Sequence, residues 1–121
     1  MKFNYADKGT SRLVLTSPFA LDYPDAVDRA PSKAGVYMFL DAEDEVVYIG
    51  KSSGSGLSDE IKSKRGTRAE KDAVKYRWFQ TENDQTAGKL AVDWIKKYQP
   101  RNNLLGVWLE ASNNDAVSAR S

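Results

Sequence analysis

The chain has 121 residues, with 18 basic and 17 acidic side chains and with neither cysteine nor histidine. This length accommodates one domain around one modest hydrophobic core. The missing cysteine and histidine exclude disulfides, thiolate and imidazole metal ligands, a cysteine nucleophile and the usual histidine base, so any catalysis depends on Tyr, Lys, Arg, Asp or Glu.

Residues 1–30 are predicted to form a lead-in segment with little regular structure. Leu13, Val14 and Leu15 suit one short strand, whereas Pro18 and Pro24 interrupt any long element and the extreme terminus is expected to be flexible. The chain contains no apolar run of membrane-spanning length and no apolar centre of a signal peptide near Met1. We therefore expect a cytoplasmic protein without a membrane partner.

Residues 35–51 are predicted to form an antiparallel hairpin, because two apolar runs flank an acidic turn. A turn centred between Ala42 and Glu43 places Tyr37 directly opposite Tyr48, so both phenols share one face. Cross-strand aromatic pairs commonly stabilise sheets, and the pair alone does not indicate a function. The other face is predicted to be core and consists of Val36, Met38, Leu40, Val47 and Ile49.

Residues 51–81 are predicted to continue with a small-residue loop, a helix and a third strand. Ser55 or Ser58 is expected to cap a helix that includes Leu57 and ends at Gly66. The loop lacks the spacing and the Gly-Lys-Ser/Thr ending of a P-loop, so a nucleotide cofactor is not expected. Residues 74–81 are rich in aromatic and β-branched side chains, which favours a strand.

The strongest helix signal lies between Asn83 and Pro100. Apolar residues recur there with helical spacing, and the resulting stripe is expected to pack on the sheet. The predicted fold is α+β, a small and mostly antiparallel three-stranded sheet flanked by helices. Residues 104–109 are expected to dock on it or to add an edge strand, and residues 111–121 to form a flexible tail. The stripe consists of Ala87, Leu90, Ala91, Trp94, Ile95 and Tyr98.

Basic side chains are concentrated in residues 62–77, which contain seven basic and two acidic side chains. Such clusters are usually solvated helix faces, but beside the hairpin this one is a candidate track for phosphate groups. The residues predicted to bind DNA phosphates are Lys51, Lys62, Lys64, Arg65 and Arg68.

The hairpin sequence resembles the signature of a known superfamily. Gly35-Val36-Tyr37, a short acidic turn and then Val47-Tyr48-Ile49-Gly50-Lys51 are similar to the motif of GIY-YIG endonucleases. Residues 95–103 resemble the closing block of the same superfamily, so the resemblance covers about residues 31–103. It implies a nuclease-like domain over residues 31–110 that hydrolyses DNA phosphodiesters with Mg²⁺ or another divalent metal, on duplex or branched DNA.

The resemblance also implies roles for single residues. The motif tyrosines correspond to Tyr37 and Tyr48, and the motif glycines to Gly35 and Gly50. The first tyrosine would help to activate water, and a metal bound by a carboxylate would offset the charge of the transition state. The residues that match the remaining catalytic positions are Lys51 beside the phosphate, Arg65 or Arg68 as the arginine, and Asn103 as the closing asparagine.

Two positions depart from the superfamily. The metal-binding glutamate corresponds to Ala91, and the catalytic arginine falls near Glu60; Glu82 and Asp93 are weak substitutes for the missing ligand. Three hypotheses follow: an endonuclease in an active or inactivated form, a degenerate module that binds DNA without cutting it, and a domain that binds a protein partner. The first hypothesis predicts that Ala91→Glu creates or restores cleavage.

Overall fold

The computed structural model describes residues 1–103, so the predictions for residues 104–109 and 111–121 lie outside the described residues. The α-helices are α1 (Leu57–Lys62) and α2 (Asp84–Tyr98), and short 3-10 turns span Tyr5–Gly9, Val27–Arg29 and Arg68–Glu70. The strands are β1 (Leu13–Thr16), β2 (Leu21–Asp22), β3 (Gly35–Leu40), β4 (Val46–Lys51) and β5 (Lys75–Thr81).

The five strands form one sheet of order β1-β5-β3-β4, and β2 also pairs with β5. Every pairing is antiparallel. The α+β class and the antiparallel sheet are therefore confirmed. The three predicted strands, β3, β4 and β5, are neighbours in this sheet. β1 and β2 extend the sheet beyond the predicted three strands, because the lead-in segment supplies partners for β5.

Each face of the sheet carries its own hydrophobic core. The helix-side core contains Val36, Met38 and Phe79 and the buried stripe of α2. The tyrosine-side core contains Tyr37, Phe39 and Tyr76, and α1 adds Leu57 and Ile61 to it. Side chains alternate along β5, since Tyr76 and Trp78 face the tyrosine side and Phe79 faces the helix side. The sheet thus separates the motif tyrosines from α2.

The register of the hairpin differs from the predicted one. Tyr37 lies opposite Gly50, and Tyr48 lies opposite Phe39, so the two tyrosines are diagonal rather than direct neighbours. The turn explains the shift: the Asp41 carboxylate accepts the amides of Glu43 and Glu45, both at 2.9 Å. An acidic side chain in the turn thereby sets a longer loop than the even-numbered one predicted.

A bulge in β4 follows from this turn. Phe39 pairs with Tyr48 but Leu40 pairs with Val46, which leaves Val47 as the extra residue. Val47 consequently packs in the tyrosine-side core, and Val46 packs in the helix-side core in its place. The prediction that Val47 faces the same side as Val36 was wrong, because a bulge changes the side on which the following residues face.

The two helices differ in how well local sequence specified them. α2 begins after Asn83, whose side chain accepts the Thr86 amide at 2.8 Å, and ends before Pro100, as predicted. α1 is shorter than predicted and no serine side chain caps it. Instead, its first amides, from Leu57 and Ser58, donate to backbone carbonyls of residues 33 and 31.

The N-terminal residues pack on the domain, which contradicts the expected flexible terminus. Phe3 contacts Phe79, Trp94 and Tyr98 on the helix side, at ring-centroid distances between 5.3 and 6.2 Å. The carbonyl of Met1 accepts the amide of Val46, the first residue of β4. Within residues 1–103, no helix has the length and apolar character that a membrane span requires.

Candidate functional site

An open groove of about 490 Å³ runs along the outer edge of β4, which pairs with no further strand within residues 1–103. Residues 48–51 of β4 form its floor, and α1, the 3-10 turn of residues 68–70 and the chain after α2 form its walls. Its side chains are both aromatic and charged. The lining residues are Tyr48, Ile49, Gly50, Lys51, Ser53, Glu60, Lys64, Thr67, Arg68, Ala69, Asn102 and Asn103.

The motif tyrosines lie together beside this groove, as predicted. Their ring centroids are 6.1 Å apart, and both rings pack on the tyrosine-side core. Tyr48 is half-buried and lines the groove, whereas Tyr37 is fully buried behind it. The Tyr37 hydroxyl has no hydrogen-bond partner among the described residues.

The motif glycines are required by close approach. A Cβ atom at Gly50 would clash with the phenol oxygen of Tyr37, and one at Gly35 would clash with the carbonyl oxygen of Phe79. The Tyr37 ring can therefore reach the back of the groove only because residue 50 carries no side chain. This contact gives a physical reason for the glycine that closes the motif.

The Tyr37 phenol is protonated at neutral pH. Burial in the core, and then the proximity of Tyr48 and Glu60, raise its pKa well above the value of an ordinary tyrosine. A buried phenol in this state donates a hydrogen bond and does not act as a phenolate base. Burial thus keeps the Tyr37 side chain in its neutral phenol form.

The predicted phosphate-binding residues divide into two groups. Lys51, Lys64 and Arg68 line the groove, and the ammonium of Lys64 lies 5.9 Å from the centroid of the Tyr48 ring. Lys62 instead pairs with Asp28 at 2.7 Å, and Arg65 pairs with Glu70 at 3.5 Å; neither lines the groove.

α1 explains the division of the basic residues. It ends at Lys62, and Lys64 lies in the turn that follows, so the two lysines are not held on one helix face. A single continuous track along residues 62–68 is therefore not formed.

Glu60 is the acidic residue of the groove. Its carboxylate is 3.3 Å from the ammonium of Lys64 and accepts the hydroxyl of Ser53 at 3.2 Å. The position at which the resemblance expects an arginine thus carries a carboxylate, and that carboxylate is already neutralised by a neighbouring lysine. In the sequence, Glu60 was notable only because it stands near the position of the superfamily's arginine. In the structure, Glu60 lines the groove.

Asn103 holds β4 in place. Its side-chain amide donates to the carbonyl of Ile49 at 3.0 Å, and its side-chain oxygen accepts the Ile49 amide at 2.9 Å. The neighbouring Asn102 donates from its side chain to the carbonyls of Ala69 and Lys71. The Asn103 side chain thus binds the outer edge of β4, and the adjacent Asn102 side chain binds the 3-10 turn of residues 68–70. Asn103 is therefore a positioning residue for the groove floor.

A second polar network fixes the end of β4. The Ser52 hydroxyl accepts the amide of Gly35 at 2.9 Å and donates to the carboxylate of Asp84 at 2.7 Å. Asp84 also accepts the amide of Gly54, and these hydrogen bonds, with that of Ser52 the strongest, lower its pKa. The loop that follows Lys51 is thereby tied to both β3 and the start of α2.

The predicted metal position and its substitutes lie away from the groove. Ala91 is fully buried in the helix-side core, on the opposite face of the sheet from Tyr37. Asp93 pairs with Arg12 at 2.7 Å, and Glu82 does not line the groove. Within residues 1–103, no group of three acidic side chains is placed to hold a metal ion.

Three polar groove residues had no role in the sequence-based prediction. Ser53 and Thr67 come from small-residue and turn segments, and Asn102 precedes the predicted asparagine. The Asn-Asn pair was visible in the sequence, but only the fold shows that both side chains bind backbone groups across β4 and the 3-10 turn.

Most of residues 1–103 is similar in sequence to known proteins. Residues 21–97 match the family described as "Domain of unknown function (DUF7508)". The UvrABC system protein C of Lactobacillus delbrueckii subsp. bulgaricus is 37% identical over 81 residues, which cover 61% of this chain and 13% of that protein. The protein of the same name from Mesoplasma florum is 28% identical over 90 residues, 70% of this chain and 15% of its own length. The chain thus spans no more than 15% of these relatives.

Solved structures show the same relationship. The GIY-YIG N-terminal endonuclease domain of UvrC from Thermotoga maritima, bound to its catalytic divalent cation, magnesium, superposes with a TM-score of 0.58. It is 28% identical, and the match covers 66% of this chain and 93% of that domain. A point mutant of the same domain, also bound to its catalytic divalent cation, matches with a TM-score of 0.58 and 28% identity.

Proposed function

We propose a function from the premise that the chain belongs to the family described as Domain of unknown function (DUF7508) and to the GIY-YIG nuclease superfamily. The proposal is that the groove along β4 binds the DNA backbone as a nuclease-type domain does. The observation that carries it is the basic and aromatic lining of the groove, in which Tyr48 lies beside Lys51, Lys64 and Arg68.

Each groove residue has a defined part in this proposal. Lys51 on the floor and Arg68 on a wall of the groove attract a phosphate, and long-range attraction of this kind is independent of base sequence. Tyr48 presents a half-buried phenol to the same space, and the ring of Tyr37 packs behind it. No described element is built to read base edges, so we expect weak sequence preference.

The residues present do not fit a complete metal site. A divalent cation such as Mg²⁺ prefers carboxylate and water oxygens, and it would polarise the phosphate when bound. The one carboxylate of the groove, Glu60, is engaged by Lys64 and Ser53, and position 91 carries alanine inside the helix-side core. These residues do not support metal-dependent hydrolysis of a phosphodiester. We therefore expect this chain to hydrolyse DNA slowly or not at all with Mg²⁺.

A degenerate module that binds DNA without cutting it is the second candidate. The specific observation in its favour is that both departures from the superfamily, Ala91 and Glu60, affect residues assigned to chemistry, whereas Lys51 and Arg68 line the groove without an ion pair among residues 1–103. A domain that binds only a protein partner is disfavoured by the same two cations.

The first experiment measures DNA binding by fluorescence anisotropy at several salt concentrations, with duplex and branched DNA. Lys51→Glu and Arg68→Glu should each weaken binding and flatten the salt dependence by about one unit of slope or more. Lys62→Glu is the matched control, because Lys62 lies outside the groove and should change binding much less. Equal effects of all three substitutions would contradict binding in the groove.

The second experiment measures nicking of supercoiled plasmid with Mg²⁺ or Mn²⁺. Nicking that is lost in Tyr48→Phe would favour the active nuclease, and binding without nicking would favour the degenerate module. Absence of salt-dependent DNA binding would remove both candidates.

A further inference from the structure

A second cavity lies on the helix side of the sheet, away from the tyrosine groove. It measures about 330 Å³ and is formed where the N-terminal residues cross the end of β5. Arg77 forms its base and lies opposite Met38, a residue of the helix-side core. The basic and aromatic residues that line it are Lys2, Phe3, Tyr5, Phe19, Lys75 and Arg77.

Arg77 is a buried cation without a carboxylate partner among residues 1–103. Only 5% of it is exposed, and it forms no ion pair within that part of the chain. Its guanidinium lies about 5 Å from the ring centroids of Phe3 and Tyr5, and one nitrogen donates to the Tyr5 hydroxyl at 3.0 Å. Its Nε atom is buried without a partner.

The charge around Arg77 is positive. Asp44 is the one carboxylate among the lining residues, and it pairs with Lys75 at 2.8 Å. The lining therefore carries three cations, Lys2, Lys75 and Arg77, against one anion. A buried guanidinium is stabilised when an anion completes its hydrogen bonds, and its planar fork suits phosphate oxygens. The cavity therefore favours an anionic ligand.

Exposed aromatic rings border the same cations. Tyr5 is 68% exposed and Phe19 is 59% exposed, and both line the cavity. Exposed aromatic rings beside basic side chains are typical of surfaces on which the bases of a single strand stack while its phosphates are neutralised. An acidic peptide would use the cations but would have no need of the exposed rings.

We propose that this cavity binds a nucleotide of single-stranded nucleic acid, with its phosphate at Arg77 and Lys2 and its base stacked on Phe19 or Tyr5. The site is separate from the groove proposed above, and it gives the lead-in segment a function. In a branched DNA, the unpaired strand would supply such a nucleotide.

The test is binding of an oligo-dT of about twelve nucleotides, labelled at one end and followed by anisotropy. Phe19→Ala should weaken binding about tenfold through loss of stacking, and Lys2→Ala should weaken it and lower the salt slope by about one. Val14→Ala and Lys89→Ala are the matched controls, since both residues are exposed and lie outside the cavity. Arg77→Met should also weaken binding, and Phe19→Ala carries the test if that variant does not fold.

Further arms identify the ligand and separate the two sites. Weaker binding of thymidine monophosphate than of the oligonucleotide supports a strand as the ligand, and equal binding supports the same chemistry in a free nucleotide. The double variant Lys51→Glu, Arg68→Glu should retain oligo-dT binding even if the groove proposal fails. Unchanged affinity in both Phe19→Ala and Lys2→Ala, or displacement of the oligonucleotide by an equal concentration of polyglutamate, would overturn the proposal.

Discussion

At the residue scale, the contact between Gly50 and Tyr37 is a tight constraint that joins the two strands of the motif. A side chain at position 50 would occupy the space of the Tyr37 phenol, and the ring lies in a fully buried environment that leaves it little freedom to move. The glycine and the tyrosine therefore form one structural unit, although they lie on different strands.

Gly50→Ala is expected to destabilise the protein by about 1–3 kcal/mol, the usual cost of overpacking a core. The measurement is urea unfolding followed by circular dichroism. In a double-mutant cycle, Gly50→Ala combined with Tyr37→Leu should lose less stability than the two single changes together, because the clash disappears with the phenol.

Gly88→Ala is the matched control for this prediction. A Cβ atom there meets only the side chain of Lys51, at 3.6 Å, and alanine is a better helix former than glycine. This variant should be neutral or stabilising. A loss of stability in Gly88→Ala as large as in Gly50→Ala would show that the effect is not specific to the phenol.

Position 91 gives the second prediction at this scale. Ala91→Glu places a carboxylate among apolar side chains of the helix-side core, which should cost at least about 2 kcal/mol unless the carboxylate finds a partner. Unfolding of Ala91→Glu and of Lys89→Glu, an exposed position on the same helix, should therefore differ clearly. If Ala91→Glu were as stable as Lys89→Glu, and Mg²⁺ stabilised it further, the carboxylate would reach solvent and the missing ligand would be restored.

At the element scale, β4 depends on polar side chains from distant parts of the chain. It is the outer strand of the sheet, so one of its edges has no strand partner among the described residues. Asn103 supplies that partner at Ile49, and Ser52 and Asp84 fix the strand end. The groove floor is thus held by loops rather than by another strand.

Asn103→Ala is expected to destabilise the protein by about 2–4 kcal/mol, because it leaves a buried amide and a buried carbonyl of Ile49 without partners. Hydrogen exchange should show faster exchange of the Ile49 amide, with smaller changes in β5. Asn103→Asp keeps the acceptor and loses the donor, so its effect should be intermediate. A stable Asn103→Ala variant that only loses nicking would instead support the catalytic role inferred from the resemblance.

At the scale of the whole molecule, four tyrosines link folding to alkaline pH. Burial is the main cause that raises the pKa of Tyr76 to about 12, and burial also raises those of Tyr23, Tyr37 and Tyr98. Glu70 adds to the effect at Tyr23, and Asp7 adds to it at Tyr98. These phenols keep their protons in the fold at pH values at which the unfolded chain loses them.

The sign of the dependence follows from this difference. The contribution of these tyrosines is complete below about pH 10, the value of an unfolded tyrosine, and is lost as the pH rises toward their folded pKa values. The free energy of unfolding should therefore fall steeply above about pH 10. Urea unfolding at a series of pH values measures it, and Tyr76→Phe should make the slope shallower. A stability that stays constant up to about pH 11.5 would contradict the prediction.

Local sequence signals predicted the elements with strong patterns. α2 has the predicted limits, and all six residues of its apolar stripe are buried. The hairpin and the third strand also form where predicted. These elements are determined by periodicity and capping, which act between residues close in the chain.

The prediction failed where distant residues decide. The register of the hairpin depends on how Asp41 binds the turn, and the order of the lead-in segment depends on the packing of Phe3 against α2. The places of the basic residues also depend on distant partners, since Lys62 pairs with Asp28, Arg65 pairs with Glu70, and neither lines the groove.

The amino-acid sequence by itself determined the class of fold, the positions of the central strands and α2, and the shared face of Tyr37 and Tyr48, because alternating and helical patterns are local properties of the chain. Only the tertiary structure decided which cations meet in the groove, that Glu60 joins them, and that Ala91 lies on the other side of the sheet. The physical reason is that a sheet has two faces. Periodicity shows which residues share a face, but only packing against the rest of the chain decides which face each helix covers.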